Sequence, residues 1–171
     1  MRNERRLLLI MLMAGLMSLA INAQTRADSV AAVVQVQKDS VAADFSMETT
    51  DRQVLRLSQL PTARQTLLMF YDPNCTDCRQ ELFAMRHSSS LRRAVQQGRV
   101  QVVCVYAEQD EALWRETAAA LPKAWTIAKA CCSEEVHHHY DLSAMPLLLL
   151  LDGNRRILQQ AYEFSELSIL P

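Results

Sequence analysis

The apolar run Thr66-Leu67-Leu68-Met69-Phe70-Tyr71 shows no alternation, and it is stopped by Asp72-Pro73-Asn74 and followed at once by Cys75-Thr76-Asp77-Cys78. A strand loses its alternation when both of its faces are covered, so this run reads as a strand inside a sheet. Beyond the cysteines, Leu82, Met85 and Leu91 recur at helical spacing among Arg, Gln and Glu, and Gly98 closes the helical region. The C-x-x-C therefore opens a helix directly after a buried strand.

The rest of the chain repeats that alternation. Val100 to Tyr106 predicts a second buried strand, and Asp110 is placed to cap a helix that Pro122 ends, with Leu113, Trp114, Thr117 and Leu121 on one face. Glu134 to Tyr140 predicts one or two helical turns. Pro146 introduces Leu147-Leu148-Leu149-Leu150-Leu151, Asp152-Gly153-Asn154 turns the chain, and Arg156-Ile157-Leu158 returns as a partner strand. Asp44 to Met47 and Val54 to Leu57 read as short edge strands before a turn at Ser58-Gln59-Leu60-Pro61. Strands alternating with helices make an α/β domain, a central mixed β-sheet flanked by helices.

At the amino terminus, Met-Arg-Asn-Glu-Arg-Arg precedes an apolar run from Leu7 to Ile21 and the small residues Ala20 and Ala23. A basic segment, an apolar segment shorter than the ~20 residues of a membrane span, and small residues form a signal-peptide layout. Residues 1–23 are expected to be a signal peptide cut after Ala23. Left uncleaved, the same segment would tether the protein to a membrane. Residues 24–43, without sustained period, read as a flexible linker, and residues 44–171 as the domain. Removing residues 1–23 moves the formal charge from −1 to −3 and leaves 148 residues, enough for one cored domain. Nothing here is basic enough to imply nucleic acid.

All five cysteines, Cys75, Cys78, Cys104, Cys131 and Cys132, lie beyond that segment, and export would carry them to an oxidising compartment. A thiolate is the nucleophile of disulfide exchange, and the free amides and positive dipole end of a helix favour that anion. Cys75, at the helix start, is the expected attacker. Cys78, within the first turn on the same face, is close enough to attack the mixed disulfide. A C-x-x-C also serves as half of a zinc site or as a structural disulfide. Here no second C-x-x-C exists, and a buried strand directly before the motif is the wrong setting for a zinc knuckle.

With Ala144-Met145-Pro146 before a second hydrophobic strand, the chain resembles the thioredoxin-like superfamily over about residues 43–162. Asp44-Phe45 and Leu57-Ser58-Gln59-Leu60 resemble its exported TlpA/ResA-type branch. The resemblance implies that Pro146 is cis, that Met145, Pro146 and Asn74 shape a substrate groove, and that Cys75 and Cys78 form a redox disulfide. It matches Glu81 to an acid common in the branch. One helical turn would set Glu81 beneath Cys78 as a proton carrier, and an ordinary solvated glutamate is the plainer alternative. Tyr71-Asp72-Pro73-Asn74 lacks the family's usual tryptophan, and Thr76-Asp77 replaces its commoner middle pair. Asp72 and Asp77 add negative charge that opposes the helix dipole and disfavours a strongly oxidising couple, which points to a reductant or isomerase.

The implied function is an exported, periplasmic thiol-disulfide oxidoreductase. Its partners are exported protein thiols or disulfides and a membrane electron donor, and it calls for no cofactor. The alternative is a thioredoxin-fold binding module whose Cys75-Cys78 disulfide never cycles. A peroxidase of related fold would need a Pro-x-x-x-[Thr/Ser]-x-x-Cys setting, and Pro73, two residues before Cys75, does not supply it. Cys131-Cys132 and His137-His138-His139 have the residue types of a metal site. Adjacent cysteines rarely address one ion and successive helical histidines diverge, so no metal is expected. Cys104 reads as a small buried hydrophobe.

Overall fold

The computed structural model describes residues 38–169. The expected signal peptide, residues 1–23, and linker residues 24–37 lie outside the described residues. The elements run β1 (Ser46–Thr49), β2 (Val54–Arg56), β3 (Gln65–Tyr71), α1 (Thr76–His87), α2 (Ser89–Gln96), β4 (Val100–Tyr106), α3 (Glu111–Ala119), β5 (Thr126–Ala130), α4 (Ser133–His139), β6 (Leu147–Asp152) and β7 (Ile157–Ala161). The strands form one seven-stranded sheet in the order β2-β1-β5-β4-β3-β6-β7.

β3, β4 and β5 pair in parallel, whereas β6 pairs antiparallel with β3. β3 is the middle of the sheet's chemistry because it is covered on both faces, as its unbroken apolar run predicts. Leu67, Met69 and Tyr71 point into a core shared with Leu82, Met85, Leu91 and Trp114 of α1, α2 and α3. Leu68 and Phe70 point into the opposite core, shared with Val136 of α4 and with Phe45 and Tyr140. Leu147 to Leu151 of β6 are all at most 1% exposed, each worth about 1.5–3 kcal/mol of transfer free energy.

The structure refines several expected boundaries. The helical region after Cys75 is two helices, because Ser88 leaves helical geometry and its Oγ accepts the Leu91 N–H at 3.2 Å, capping α2. β5 is an additional strand in a stretch that shows little pattern. β1 starts at Ser46, since the Asp44 carboxylate instead accepts the Ser58 N–H, the Ser58 hydroxyl and the Arg56 guanidinium at 2.7–2.8 Å. The expected linker also gives up its last residues to the domain. Asp39 N–H donates to Ile157 O, Ile157 N–H to Ser40 O and Ala42 N–H to Arg155 O, each at 2.9 Å. Residues 39–42 thus pair with the chain entering β7, and Ala42 is buried.

Candidate active site

The carboxyl ends of β3, β4 and β5 lie on one edge of the sheet with the start of β6, since Tyr71 is registered with Tyr106, Tyr106 with Lys129, and Phe70 with Leu147. The chain leaves β3 through a turn that Asp72 builds. Its Oδ1 accepts the Asn74 N–H at 2.8 Å and its carbonyl accepts the Cys75 N–H at 3.0 Å, so aspartate shapes the turn from both its side chain and its backbone. Cys75 is then the cap of α1.

The Cys75 sulfur accepts the Cys78 N–H at 3.2 Å. An anion there is met by an amide that the helix leaves unpaired and by the positive end of its dipole. The same sulfur lies 3.6 Å from the Met145 carbonyl, to which its S–H donates. The Met145–Pro146 peptide is cis. Met145 is half-buried and Pro146 buried, Cys75 is half-exposed, and Asn74, directly before Cys75, is exposed. The structure therefore brings Cys75, Cys78, Met145, Pro146 and Asn74 together, across 70 positions of sequence.

Cys78 differs sharply from its neighbour. It is wholly buried, packed with Tyr71, Leu82 and Met85, and its sulfur accepts the Asp72 N–H at 3.5 Å. Burial pushes its thiol far above the ordinary cysteine range, and the hydrogen bond to Cys75 and the Asp72 charge add to that. One thiol is thus presented to solvent and the other is held protonated behind it.

Glu81 sits on α1 one turn after Cys78, but the contact the structure gives it is with the far end of the chain. Its Oε2 accepts the Phe164 N–H at 2.7 Å, at the start of a 3-10 turn over Phe164–Glu166. A carboxylate that accepts a short turn's free amide ties that turn to α1. The hydroxyl of Tyr71, directly before the motif, is a feature that sequence patterning misses. It is buried without a hydrogen-bond partner, in the core that also holds Cys78 and Cys104.

The remaining cysteines and histidines are separate from this pair. Cys104 is fully buried in β4 and its thiol is pushed up by that burial. Cys131 and Cys132 are exposed between β5 and α4, and the His137 ring lies 2.9 Å from Glu108. Among the described residues no group of three His, Cys, Asp or Glu is arranged to hold a metal.

A parallel strand ending in a C-x-x-C helix, opposite a cis-proline that opens an antiparallel strand, defines a thioredoxin-like protein. Residues 39–165 match the AhpC/TSA family, and the chain belongs to that family. No curated protein matches the sequence. Among solved structures, the chain is similar to a conserved protein of unknown function from Bacteroides fragilis, with 27% identity and a TM-score of 0.70 over 76% of this chain and 95% of that one. It is also similar to a candidate thiol:disulfide interchange protein DsbE from Chlorobium tepidum, with 26% identity and a TM-score of 0.61 over 76% and 88%. The thioredoxin domain of a thiol-disulfide oxidoreductase from Bacteroides vulgatus shares the fold, with 16% identity and a TM-score of 0.66 over 77% and 92%. The family and the Chlorobium tepidum neighbour support a redox function of the thioredoxin-fold type.

Proposed function

We propose that this chain is an exported thiol-disulfide oxidoreductase that reduces or isomerises disulfides of other exported proteins through Cys75 and Cys78. The observation that carries the reading is the asymmetry of the pair: the half-exposed Cys75 sulfur rests on the Cys78 N–H at 3.2 Å, while the Cys78 sulfur is buried and kept protonated. In one turnover the Cys75 thiolate attacks a substrate disulfide, forming a mixed disulfide and releasing one substrate thiolate. Cys78 gives up its proton and attacks the Cys75 sulfur, releasing the second thiolate. Two electrons pass to the substrate and the pair becomes a disulfide. A membrane electron donor returns those electrons. In an isomerase cycle the first released substrate thiol would attack the mixed disulfide instead.

Met145 and Pro146 form the wall against which an extended substrate segment docks, and the exposed Asn74 borders it at the start of the motif. The signal-peptide layout of residues 1–23 supports export to a periplasmic space, with tethering by an uncleaved segment as the other outcome. Redox titration of the purified domain against glutathione, with thiol trapping and mass mapping, tests the reading. A two-electron couple confined to Cys75 and Cys78 is expected, with a potential well below that of a dedicated oxidant. A Cys75-Cys78 disulfide that neither glutathione nor excess dithiothreitol reduces in the native protein would leave a binding module in its place.

A further inference from the structure

Cys78 has to lose a proton from a place closed to solvent. Its sulfur is wholly buried among Tyr71, Leu82 and Met85, and in the reduced pair a hydrogen bond to the Cys75 sulfur helps to hold its proton. Once Cys75 carries a substrate in a mixed disulfide, its sulfur bears no charge and is itself the atom under attack. Another group then has to take the proton.

Three side chains adjoin that sulfur closely enough to be considered. Tyr71 of β3 keeps its own hydroxyl proton, because burial raises that group far above its ordinary range. Glu81, one turn along α1, has Oε2 engaged by the Phe164 N–H at 2.7 Å. Asp72 differs from both. Its backbone N–H lies 3.5 Å from the Cys78 sulfur, and a side chain of one methylene keeps the carboxylate within about 5 Å of that nitrogen. Oδ1 accepts the Asn74 N–H at 2.8 Å, which holds the side chain on the turn, while Oδ2 has no hydrogen bond or ion pair among the described residues. The residue is half-buried, so it borders the closed sulfur and solvent alike.

The electrostatics agree with this placement. After burial and the hydrogen bond and charge of Cys75, the Asp72 carboxylate is the group that most raises the Cys78 thiol. Behind burial, it is also the largest influence raising Tyr106, at the end of the neighbouring strand β4. The adjacent cation on α1, Arg79, donates to the Pro73 carbonyl at 2.8 Å and to the Thr76 hydroxyl at 3.2 Å and forms no ion pair with Asp72. Asp77, in the same first turn, is exposed.

Resting on the thiol-exchange reading above, we infer that Asp72 is the base of the resolving step: its carboxylate, directly or through one water, takes the Cys78 proton as Cys78 attacks the mixed disulfide. The Cys78 S–H bond breaks and its proton goes to Oδ2. The Cys78–Cys75 S–S bond forms, and the bond from Cys75 to the substrate sulfur breaks with the electron pair leaving on that sulfur. The carboxylic acid then gives the proton to the departing thiolate, the stronger base of the two, and Asp72 ends the turnover ionised.

Asp72→Asn tests this, because an asparagine oxygen still accepts the Asn74 N–H while charge and basicity are gone, and Asp72→Ser repeats it with a hydroxyl acceptor. Both are made with Cys131→Ser and Cys132→Ser, so that Cys75 is the accessible thiol. Reduced protein is mixed with dithiobis(nitrobenzoate) in a stopped-flow instrument. The first thionitrobenzoate released reports attack by Cys75, and the second, at a rate independent of reagent concentration, reports resolution by Cys78. At about pH 7 the resolving phase should slow by about 10²-fold or more in both variants, with the first phase changed by less than about threefold. The variants' resolving rate should rise about tenfold per pH unit, whereas the parent's is flat between about pH 6 and 8. A residue acting by charge alone would give the opposite sign, since removing its charge eases ionisation of Cys78 and speeds resolution. A resolving phase as fast as the parent's or faster, or one slowed equally at every pH, overturns the inference and leaves thiol exchange intact. A parent protein that releases no second thionitrobenzoate overturns the exchange reading, and the inference with it.

Discussion

Replacing Glu81 separates an anchor from a proton carrier. In the anchor reading, Glu81→Ala removes the acceptor of the Phe164 N–H, a 2.7 Å bond across 83 positions that ties the carboxyl-terminal segment to α1. Hydrogen bonds to charged groups contribute about 1.5–3 kcal/mol, and Glu81 is half-exposed, so the lower part of that range applies, about 1.5 kcal/mol. For a domain of this size that corresponds to a fall in melting temperature of roughly 5–8 °C. Glu81→Gln keeps an acceptor oxygen and loses only the charge assistance, so it should recover about 1 kcal/mol of that loss. The assay pairs urea unfolding with the rate at which the mixed disulfide on Cys75 is resolved. Both variants should resolve it within about twofold of the parent, since general acid-base roles are worth 10²–10⁴-fold and no such loss is expected. A Gln variant of parental stability that resolves the mixed disulfide a hundredfold more slowly would refute the anchor reading.

Alkaline pH should weaken the reduced protein. Burial raises the Cys78, Cys104 and Tyr71 groups in the folded state, so their stabilising contribution is complete below the unfolded values and is lost as pH climbs through the window from there toward the folded ones. The unfolding free energy from urea titrations should hold to about pH 8 and then fall, by up to about 1.4 kcal/mol per pH unit for each buried thiol. Iodoacetamide should label Cys75, Cys131 and Cys132 in the native reduced protein and reach Cys78 and Cys104 only in denaturant, as mapped by mass spectrometry. Early labelling of Cys78 would contradict its burial. Tyr71→Phe deletes a hydroxyl that is buried without a partner, a situation costing about 1–3 kcal/mol, so urea unfolding should show a more stable protein, and destabilisation would reveal a partner for that hydroxyl.

The strands covered on both faces were the most legible part of the fold, because a continuous apolar run has few other uses. β4 spans Val100–Tyr106 as the pattern predicts, and Asp110 caps α3 through an Oδ1 that accepts the Leu113 N–H at 3.0 Å. β5 was hidden for the opposite reason. Thr-Ile-Ala-Lys-Ala offers neither alternation nor a β-branched run, and it becomes a strand because β1 and β4 hold it on both sides. Its Lys129 tolerates burial because the ammonium reaches Glu111 at 3.5 Å and lies 5.9 Å from the Trp114 ring. The split between α1 and α2 was written in Ser88-Ser89-Ser90, where a serine cap could have been read.

The candidate site divides along the same line between local and distant. Cys75 and Cys78 were readable because the motif, the turn and the helix start occupy adjacent positions, and one turn of helix fixes their mutual geometry. Asp72 was noticed as a charge, yet its larger part is structural. A single residue supplies a side-chain oxygen to Asn74, a carbonyl to Cys75 and an amide to Cys78, which only the folded turn reveals. Glu81 shows the converse. Spacing placed it correctly on the helix, but spacing carries no information about Phe164, whose amide reaches it from another element. A local pattern therefore identifies which atoms can react, whereas the contacts that set each thiol's access, protonation and neighbours come from chain segments that meet only when the sheet closes.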